Sequence, residues 1–161
     1  MRIYNLIIKV FEVRKLSKHK SINDVLVSMF NNILDIEEDC VCRGDFKDLS
    51  ITEMHIIEHI GVDRERTMSD TAKDLRITSG TLTIAINNLI KKGYVERQRS
   101  EKDRRIVYIK LTQKGVEAYR FHENFHVDLV FSAIEGLDDN QQILLLDVLT
   151  NINKHFKSKM K

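Results

Sequence analysis

The chain has 161 residues, of which 42% are apolar and 31% charged, a composition typical of a soluble globular protein with one domain or a core shared with a partner. No apolar run is long enough to span a bilayer, and two cysteines, Cys40 and Cys42, are too few for a disulfide framework or a zinc knuckle. The N-terminal apolar stretch is interrupted by Lys9 and Glu12 and has no small-residue cleavage site. We therefore expect a cytoplasmic protein with no membrane partner.

The first part of the chain predicts helices. Residues 2–16 favour an extra helix, although their β-branched content would also suit a strand. Residues 21–42 predict a helix, because apolar side chains recur at three- and four-residue intervals. Residues 50–53, Ser-Ile-Thr-Glu, form a capping box that should begin the next helix, which extends to about Ile60.

The middle of the chain predicts two helices and a hairpin. Thr67 can cap a short helix through about Leu75, and Thr78 can cap a further helix that ends before Gly93. Two strand-like runs then flank a charged turn in residues 94–112. A short helix, a tight turn, a second helix and a hairpin are the elements of a winged helix-turn-helix.

The last part predicts two more helices. Thr112 should cap a long helix to about Glu135, and residues 138–141, Asp-Asp-Asn-Gln, form another capping box. The final helix carries an apolar stripe of Leu145, Leu149, Ile152 and Phe156. The predicted fold class is therefore α+β, mostly α, with apolar flanking helices that would pair two copies of the chain.

The helix after Thr78 has two distinct faces. With Leu82 at the centre of the inner face, a rotation of about 100° per residue places Ala85, Ile86 and Leu89 beside it. The opposite face then carries hydroxyl, amide and amino groups that suit base edges and phosphates, on Thr81, Thr83, Asn87, Asn88 and Lys91, together with Gly80, which would let the backbone approach closely. Ile84 lies at the centre of that face, where it could contact a thymine methyl group or simply be one isolated exposed apolar residue.

Positive charge is concentrated in one stretch of the chain. The net charge is only +2, but residues 91–110 contain eight basic and three acidic residues. Such a stretch is a candidate phosphate-binding surface. A solvated charged hairpin is the alternative.

Two segments resemble the MarR-type regulators. Residues 103–115, DRRIVYIKLTQKG, resemble the wing signature D-x-R…L-T-x-x-G of that family, and residues 79–100 resemble its recognition helix and first wing strand. The resemblance extends over roughly residues 21–155 and implies a homodimeric transcription regulator that binds an inverted-repeat operator in double-stranded DNA. It also implies that Arg105 enters the minor groove, that Asp103 orients it, and that Arg104 makes a second contact. The predicted DNA-binding residues are Thr78, Ser79, Gly80, Thr81, Thr83, Ile84, Asn87, Lys91, Arg99, Asp103, Arg104 and Arg105.

Within that family, the segments FKDLSITEMHII, residues 79–115 and YRFHENFH resemble the FabT-type repressors of fatty-acid synthesis. This resemblance implies an acyl ligand, a fatty-acyl group or acyl-acyl carrier protein as corepressor, with no cofactor required. A fatty-acyl chain would need an apolar tunnel, although methionine and phenylalanine at helical spacing are usually plain core. The candidate effector-binding residues are Met29, Phe30, Ile33, Met54, His55, Phe121, His122 and Phe125.

Residues 122–126, His-Glu-Asn-Phe-His, match the H-E-x-x-H pattern of zinc hydrolases, which place two imidazoles on one helix face. No third ligand motif follows, so a hydrolase is a remote alternative and we expect no enzyme activity. Zinc-sensing members of the MarR family offer another alternative. Their ligand set resembles Glu37, His55, His122 and His126 of this chain.

These expectations divide the chain into functional regions. Residues 1–20 form an N-terminal extension, and residues 50–111 form the winged helix-turn-helix DNA-binding domain. Residues 21–49 and 112–161 supply the dimerisation helices.

Overall fold

The computed structural model describes residues 2–62 and 65–159, with side chains described from residue 20 onward. The first helix, α1, runs from Arg2 to Arg43 without interruption. Residues 2–16 are helical, as predicted, but they and residues 21–42 form one helix instead of two. The first glycine in the sequence is Gly44, and the chain has no proline. Nothing in the covalent backbone thus favours a break before Arg43.

The three helices that follow begin at the predicted caps. Helix α2 spans Ile51–Ile60, and its reciprocal capping box joins the Glu53 N–H to Ser50 Oγ at 3.2 Å and the Ser50 N–H to Glu53 Oε2 at 2.9 Å. Helices α3 (Met68–Leu75) and α4 (Ser79–Lys91) are capped by the hydroxyls of Thr67 and Thr78. These local predictions are confirmed.

A small antiparallel sheet follows and has one strand more than predicted. Strands β2 (Val95–Arg99) and β3 (Val107–Leu111) form the predicted hairpin, with Arg97 opposite Ile109. Strand β1 (Arg66–Thr67) pairs with the other edge of β3, so the order is β1-β3-β2. A strand of two residues is too short to show the alternation that reveals strands in a sequence.

The last two helices are α5 (Gln113–Ile134) and α6 (Asp139–Lys159). The Thr112 hydroxyl accepts the Gly115 N–H at 3.1 Å, and Asp138 exchanges hydrogen bonds with Gln141 at 2.9 and 3.0 Å. Both predicted caps are confirmed. Within the described residues no helix is long and apolar enough to cross a membrane.

The architecture is a winged helix-turn-helix, mostly helical with a small sheet, as predicted. The chain divides into two compact units, residues 1–118 and residues 119–161. In the first unit a core forms between α2, α4 and the sheet, and its fully buried members include Met54, Ile57, Ile60, Leu82, Ile86, Leu89, Tyr94 and Ile109. This core fixes one face of α4 and leaves the other face in solvent.

Candidate nucleic-acid interface

Helix α4 has the two faces that its sequence predicts. Leu82, Ile86 and Leu89 are completely buried. The opposite face is exposed and consists of Gly80, Thr81, Thr83, Ile84, Asn87, Asn88 and Lys91. The polar side chains on this face are available to a groove of DNA without any change in the core packing of the helix.

Hydroxyl groups organise the beginning of α4. Thr78 Oγ1 accepts the Thr81 N–H at 3.1 Å and lies 2.8 Å from the Thr81 hydroxyl. The Thr83 hydroxyl donates to the Ser79 carbonyl at 2.7 Å. These bonds fix the side-chain positions of the first turn, where the helix dipole favours a phosphate.

Ile84 is the apolar exception on this face. Its side chain is 67% exposed and lies between polar neighbours. The sequence predicted both its position and its direction. An isoleucine held in solvent at the centre of a polar face is suited to contact a methyl group on a base edge.

The turn between β2 and β3 is held by the backbone and by two short side chains. The Ser100 N–H donates to the Ile106 carbonyl at 3.0 Å, and Ser100 Oγ accepts the N–H groups of Lys102 and Asp103, each at 3.3 Å. The Asp103 carboxylate accepts the Arg105 backbone N–H at 2.9 Å. Asp103 thus contacts Arg105 through its backbone and shapes the turn, which leaves the side chains of Arg104 and Arg105 exposed.

The basic stretch divides into exposed and internally engaged residues. Lys92 donates to Glu53 Oε2 at 2.7 Å and to the Asp48 carbonyl, so it faces the fold, in contrast to the sequence interpretation that counted it in the phosphate-binding surface. Lys110 pairs across the hairpin with Glu96 at 3.0 Å, and this partner raises the pKa of Lys110. The exposed positive charge therefore lies mainly on the other basic residues of the hairpin.

A hydrogen bond connects the hairpin directly to α4. Arg97 Nη2 donates to Asn87 Oδ1 at 3.0 Å. Sequence reasoning predicted Asn87 as a contact residue and did not single out Arg97. The only sequence signal was that Arg97 shares a strand face with Arg99, since alternate residues of a strand point the same way.

A second cluster of contacts connects the end of α4 with the segment before α2 and the start of α5. The buried Tyr94 hydroxyl donates to Asp48 Oδ1 at 2.6 Å, and Lys114 Nζ lies 4.0 Å from the centre of the Tyr94 ring. Burial and the Asp48 carboxylate raise the pKa of Tyr94. Lys114 also donates to the Lys92 carbonyl at 3.0 Å. These contacts hold α4 at a fixed position in the first unit, and none of them was predicted from the sequence.

The candidate effector residues belong to both units, and some are exposed while others are buried. On α1, Met29 is 37% and Phe30 is 53% exposed, and Met29 and Ile33 line a shallow groove along the helix. Met54 on α2 is completely buried. On α5, the His122 ring stacks on Phe125 with centroids 5.9 Å apart, and Phe121 is half-buried.

The candidate metal ligands form two pairs, one in each unit. His55 Nε2 lies 2.8 Å from Glu37 Oε1, and the Glu37 side chain is only 5% exposed. His122 and His126 lie one turn apart on α5, with ring centroids separated by 4.5 Å. Each pair brings together side chains that can bind a metal.

Comparisons with known proteins agree with this geometry. A family model described as transcriptional regulator SarA/Rot matches residues 45–120. The HTH-type transcriptional regulator SarZ of Staphylococcus saprophyticus is 32% identical over 114 residues, which cover 70% of this chain and 77% of SarZ.

Solved structures show the same fold. Streptococcus pneumoniae FabT, whose crystal structure was determined in complex with DNA, is 42% identical, with a TM-score of 0.81 over 87% of this chain and 98% of FabT. Wild-type MarR from E. coli, in its apo form, is 24% identical, with a TM-score of 0.63 over 80% of this chain and 94% of MarR.

Proposed function

The chain belongs to the MarR family of winged helix-turn-helix transcriptional regulators, and from this premise we propose that it acts in the cytoplasm as a homodimeric, non-enzymatic repressor that binds an inverted-repeat operator. The observation that carries the proposal is that one compact unit presents both the exposed polar face of α4 and the exposed arginines of the wing. The similarity to a FabT solved in complex with DNA supports it.

The proposed binding mode follows from the dimensions of DNA. The α4 helices of the two protomers enter successive major grooves about 34 Å apart, which requires an inverted repeat. Each wing then lies over the adjacent minor groove, whose negative potential favours an arginine guanidinium. The Ser100–Asp103 turn supports Arg105 there, because hydrogen bonds to the side chains of Ser100 and Asp103 hold the turn in the absence of DNA.

The test is the variant Arg105→Ala, compared with Arg43→Ala, which removes the same charge from the end of α1. Arg105→Ala should weaken operator binding by about 1–3 kcal/mol and reduce the slope of log affinity against log salt concentration by about one. Fluorescence anisotropy titrations at several salt concentrations measure both quantities. Equal titration curves for wild type and Arg105→Ala would contradict the role of the wing.

We further propose that the regulated genes belong to fatty-acid biosynthesis and that an acyl ligand, carried on acyl carrier protein, modulates DNA binding. The similarity to FabT and the apolar groove along α1 support this proposal. The ligand would act by stabilising one of two dimer states with different separations of the α4 helices. Native mass spectrometry with long-chain acyl-acyl carrier protein should detect a complex, and apo-acyl carrier protein is the control. An unchanged operator affinity with saturating ligand would contradict this regulation.

Zinc is the second candidate effector, favoured within the first unit by the preformed Glu37–His55 pair and within the second unit by the neighbouring rings of His122 and His126. We propose that these four residues would bind Zn²⁺, a regulatory ion that needs three or four such ligands. Native mass spectrometry of purified protein with and without zinc distinguishes this candidate. Zinc binding that survives the double variant His55→Ala/His122→Ala would exclude the proposed ligand set. We expect no zinc-dependent peptidase activity from any of these proteins.

A further inference from the structure

Arg97 and Asn87 form a hydrogen bond that determines which way the asparagine amide is oriented. Arg97 lies on β2, and its Nη2 donates to the Asn87 side-chain oxygen at 3.0 Å. A guanidinium group contains only donors. The amide of Asn87 must therefore turn its oxygen toward Arg97, which removes the usual ambiguity between the oxygen and nitrogen of an asparagine side chain.

The position of Arg97 is itself well defined. Its backbone lies in the central pair of the hairpin, opposite Ile109, and the Ile109 side chain is completely buried. Asn87 lies on the exposed face of α4, within the helix Ser79–Lys91. Both partners are thus attached to rigid elements of the same unit, and the contact spans the gap between recognition helix and wing.

An orientated amide restricts which base Asn87 can recognise. An unrestrained asparagine recognises adenine through two bonds, accepting from N6 with its oxygen and donating to N7 with its nitrogen. When the oxygen faces Arg97, the side chain presents its NH₂ group to the groove. Acceptors in the major groove are guanine O6 and N7, adenine N7 and thymine O4, and only guanine offers two of them side by side.

We propose that Arg97 is a positioning residue that sets the base preference of Asn87, directing it to guanine in place of adenine. This inference rests on the proposed function, because it assumes that the exposed face of α4 contacts the operator. It assigns to Arg97 a role in specificity rather than a uniform contribution to affinity.

The experiment is a selection of binding sites from a randomised duplex library, carried out with full-length variants. Asn87→Ala identifies the base pair that depends on Asn87, because preference there should disappear. Arg97→Ala and Arg97→Met both remove the donor, and the methionine keeps most of the apolar stem. Arg97→Lys keeps a donor group and the positive charge. Arg99→Ala is the matched control, since it removes an arginine from the same face of the same strand.

The expected result is a change of sequence preference in the two variants without a donor. At the base pair identified by Asn87→Ala, wild type and Arg97→Lys should prefer guanine, whereas Arg97→Ala and Arg97→Met should shift toward adenine by about tenfold. Arg99→Ala should lower affinity for all sequences alike.

The outcomes separate the two levels of inference. A wild-type protein that selects no sequence would overturn the proposed function. A wild-type protein that selects an inverted repeat, while Arg97→Ala and Arg97→Met select the same base as wild type at the Asn87 position, would overturn the role of Arg97 alone. A selection that already favours adenine at that position in the wild type would overturn it as well.

Discussion

Gly115 occupies a position where no side chain fits. A Cβ atom built on Gly115 would lie 2.1 Å from the Tyr94 carbonyl oxygen, which also accepts the Thr112 N–H at 3.0 Å. The start of α5 therefore packs directly on the backbone at the end of the recognition helix. This contact gives a steric reason for the glycine at the end of the L-T-x-x-G pattern.

The variant Gly115→Ala should be destabilised by about 1–3 kcal/mol or more, because the backbone of α5 must move away from Tyr94 to admit a methyl group. Equilibrium unfolding in urea measures the change. Gly136→Ala is the control, since a Cβ there meets no atom within 4 Å. Equal stability of Gly115→Ala and wild type would show that the two backbones are not held in contact.

Ile84 permits a test at the level of a single methyl group. If its exposed side chain contacts a thymine methyl, replacing that thymine by uracil in the operator should cost wild type about 1 kcal/mol, roughly the value of one buried CH₂. The Ile84→Ala variant should bind the two duplexes equally. Anisotropy titrations of both proteins with both duplexes form a double-mutant cycle. A coupling energy of zero at every thymine of the operator would show that Ile84 contacts no thymine methyl group.

At the scale of whole elements, the sequence predicted features whose causes are local. The caps at Ser50, Thr67, Thr78 and Thr112 were predicted because the bonding partner lies within three residues of each. Contacts between residues that are far apart in the sequence were not predicted. The Arg97–Asn87 bond, the inward direction of Lys92 and the pairing of β1 with β3 all depend on where separate elements meet.

The predicted DNA-binding residues illustrate the same division. The exposed face of α4 followed from helical periodicity, and the positions of Arg104 and Arg105 followed from the resemblance of the wing. The backbone contact of Asp103 could not follow from either, because a sequence pattern records which residues are present and not which atoms of them interact.

The ion pair between Glu53 and Lys92 joins α2 to the end of α4 and should depend on pH. Burial by itself raises the pKa of Glu53, but hydrogen bonds from Lys92 and Ser50 and the lysine charge outweigh it, so the net pKa lies below the ordinary value of 4.5. A carboxyl group with a lowered pKa in the folded state stabilises the fold above its ordinary pKa. That contribution is lost as the pH falls through the folded-state value.

The variant Glu53→Gln should therefore be less stable than wild type at neutral pH, and the difference should shrink below pH 4.5. Unfolding in urea at both pH values measures it. Glu96→Gln is the control, because the Glu96–Lys110 pair is about half exposed on both sides and should contribute little. A stability difference for Glu53→Gln that is unchanged at low pH would contradict the role of its charge.

At the scale of the whole molecule, the main feature is the amount of apolar surface in solvent. On α6 the exposed fraction is 67% for Ile143, 68% for Leu146 and 42% for Leu149. On α5 the Phe131 side chain is 68% exposed. Large apolar side chains exposed in this number usually mark a protein interface, and they support the proposed homodimer.

The variant Leu149→Glu should disrupt that homodimer, because a carboxylate would have to be buried in the apolar interface. Sedimentation analysis should show a monomer at concentrations where the wild type is a dimer. Affinity for an inverted repeat should fall by at least about tenfold, since the two α4 helices would no longer bind as one linked pair. Asn151→Glu, which adds the same charge at an exposed polar position of α6, is the control.

A Leu149→Glu protein that sediments as a dimer would place the interface elsewhere. If the variant is monomeric and yet binds the inverted repeat as tightly as wild type, the operator does not need two linked protomers.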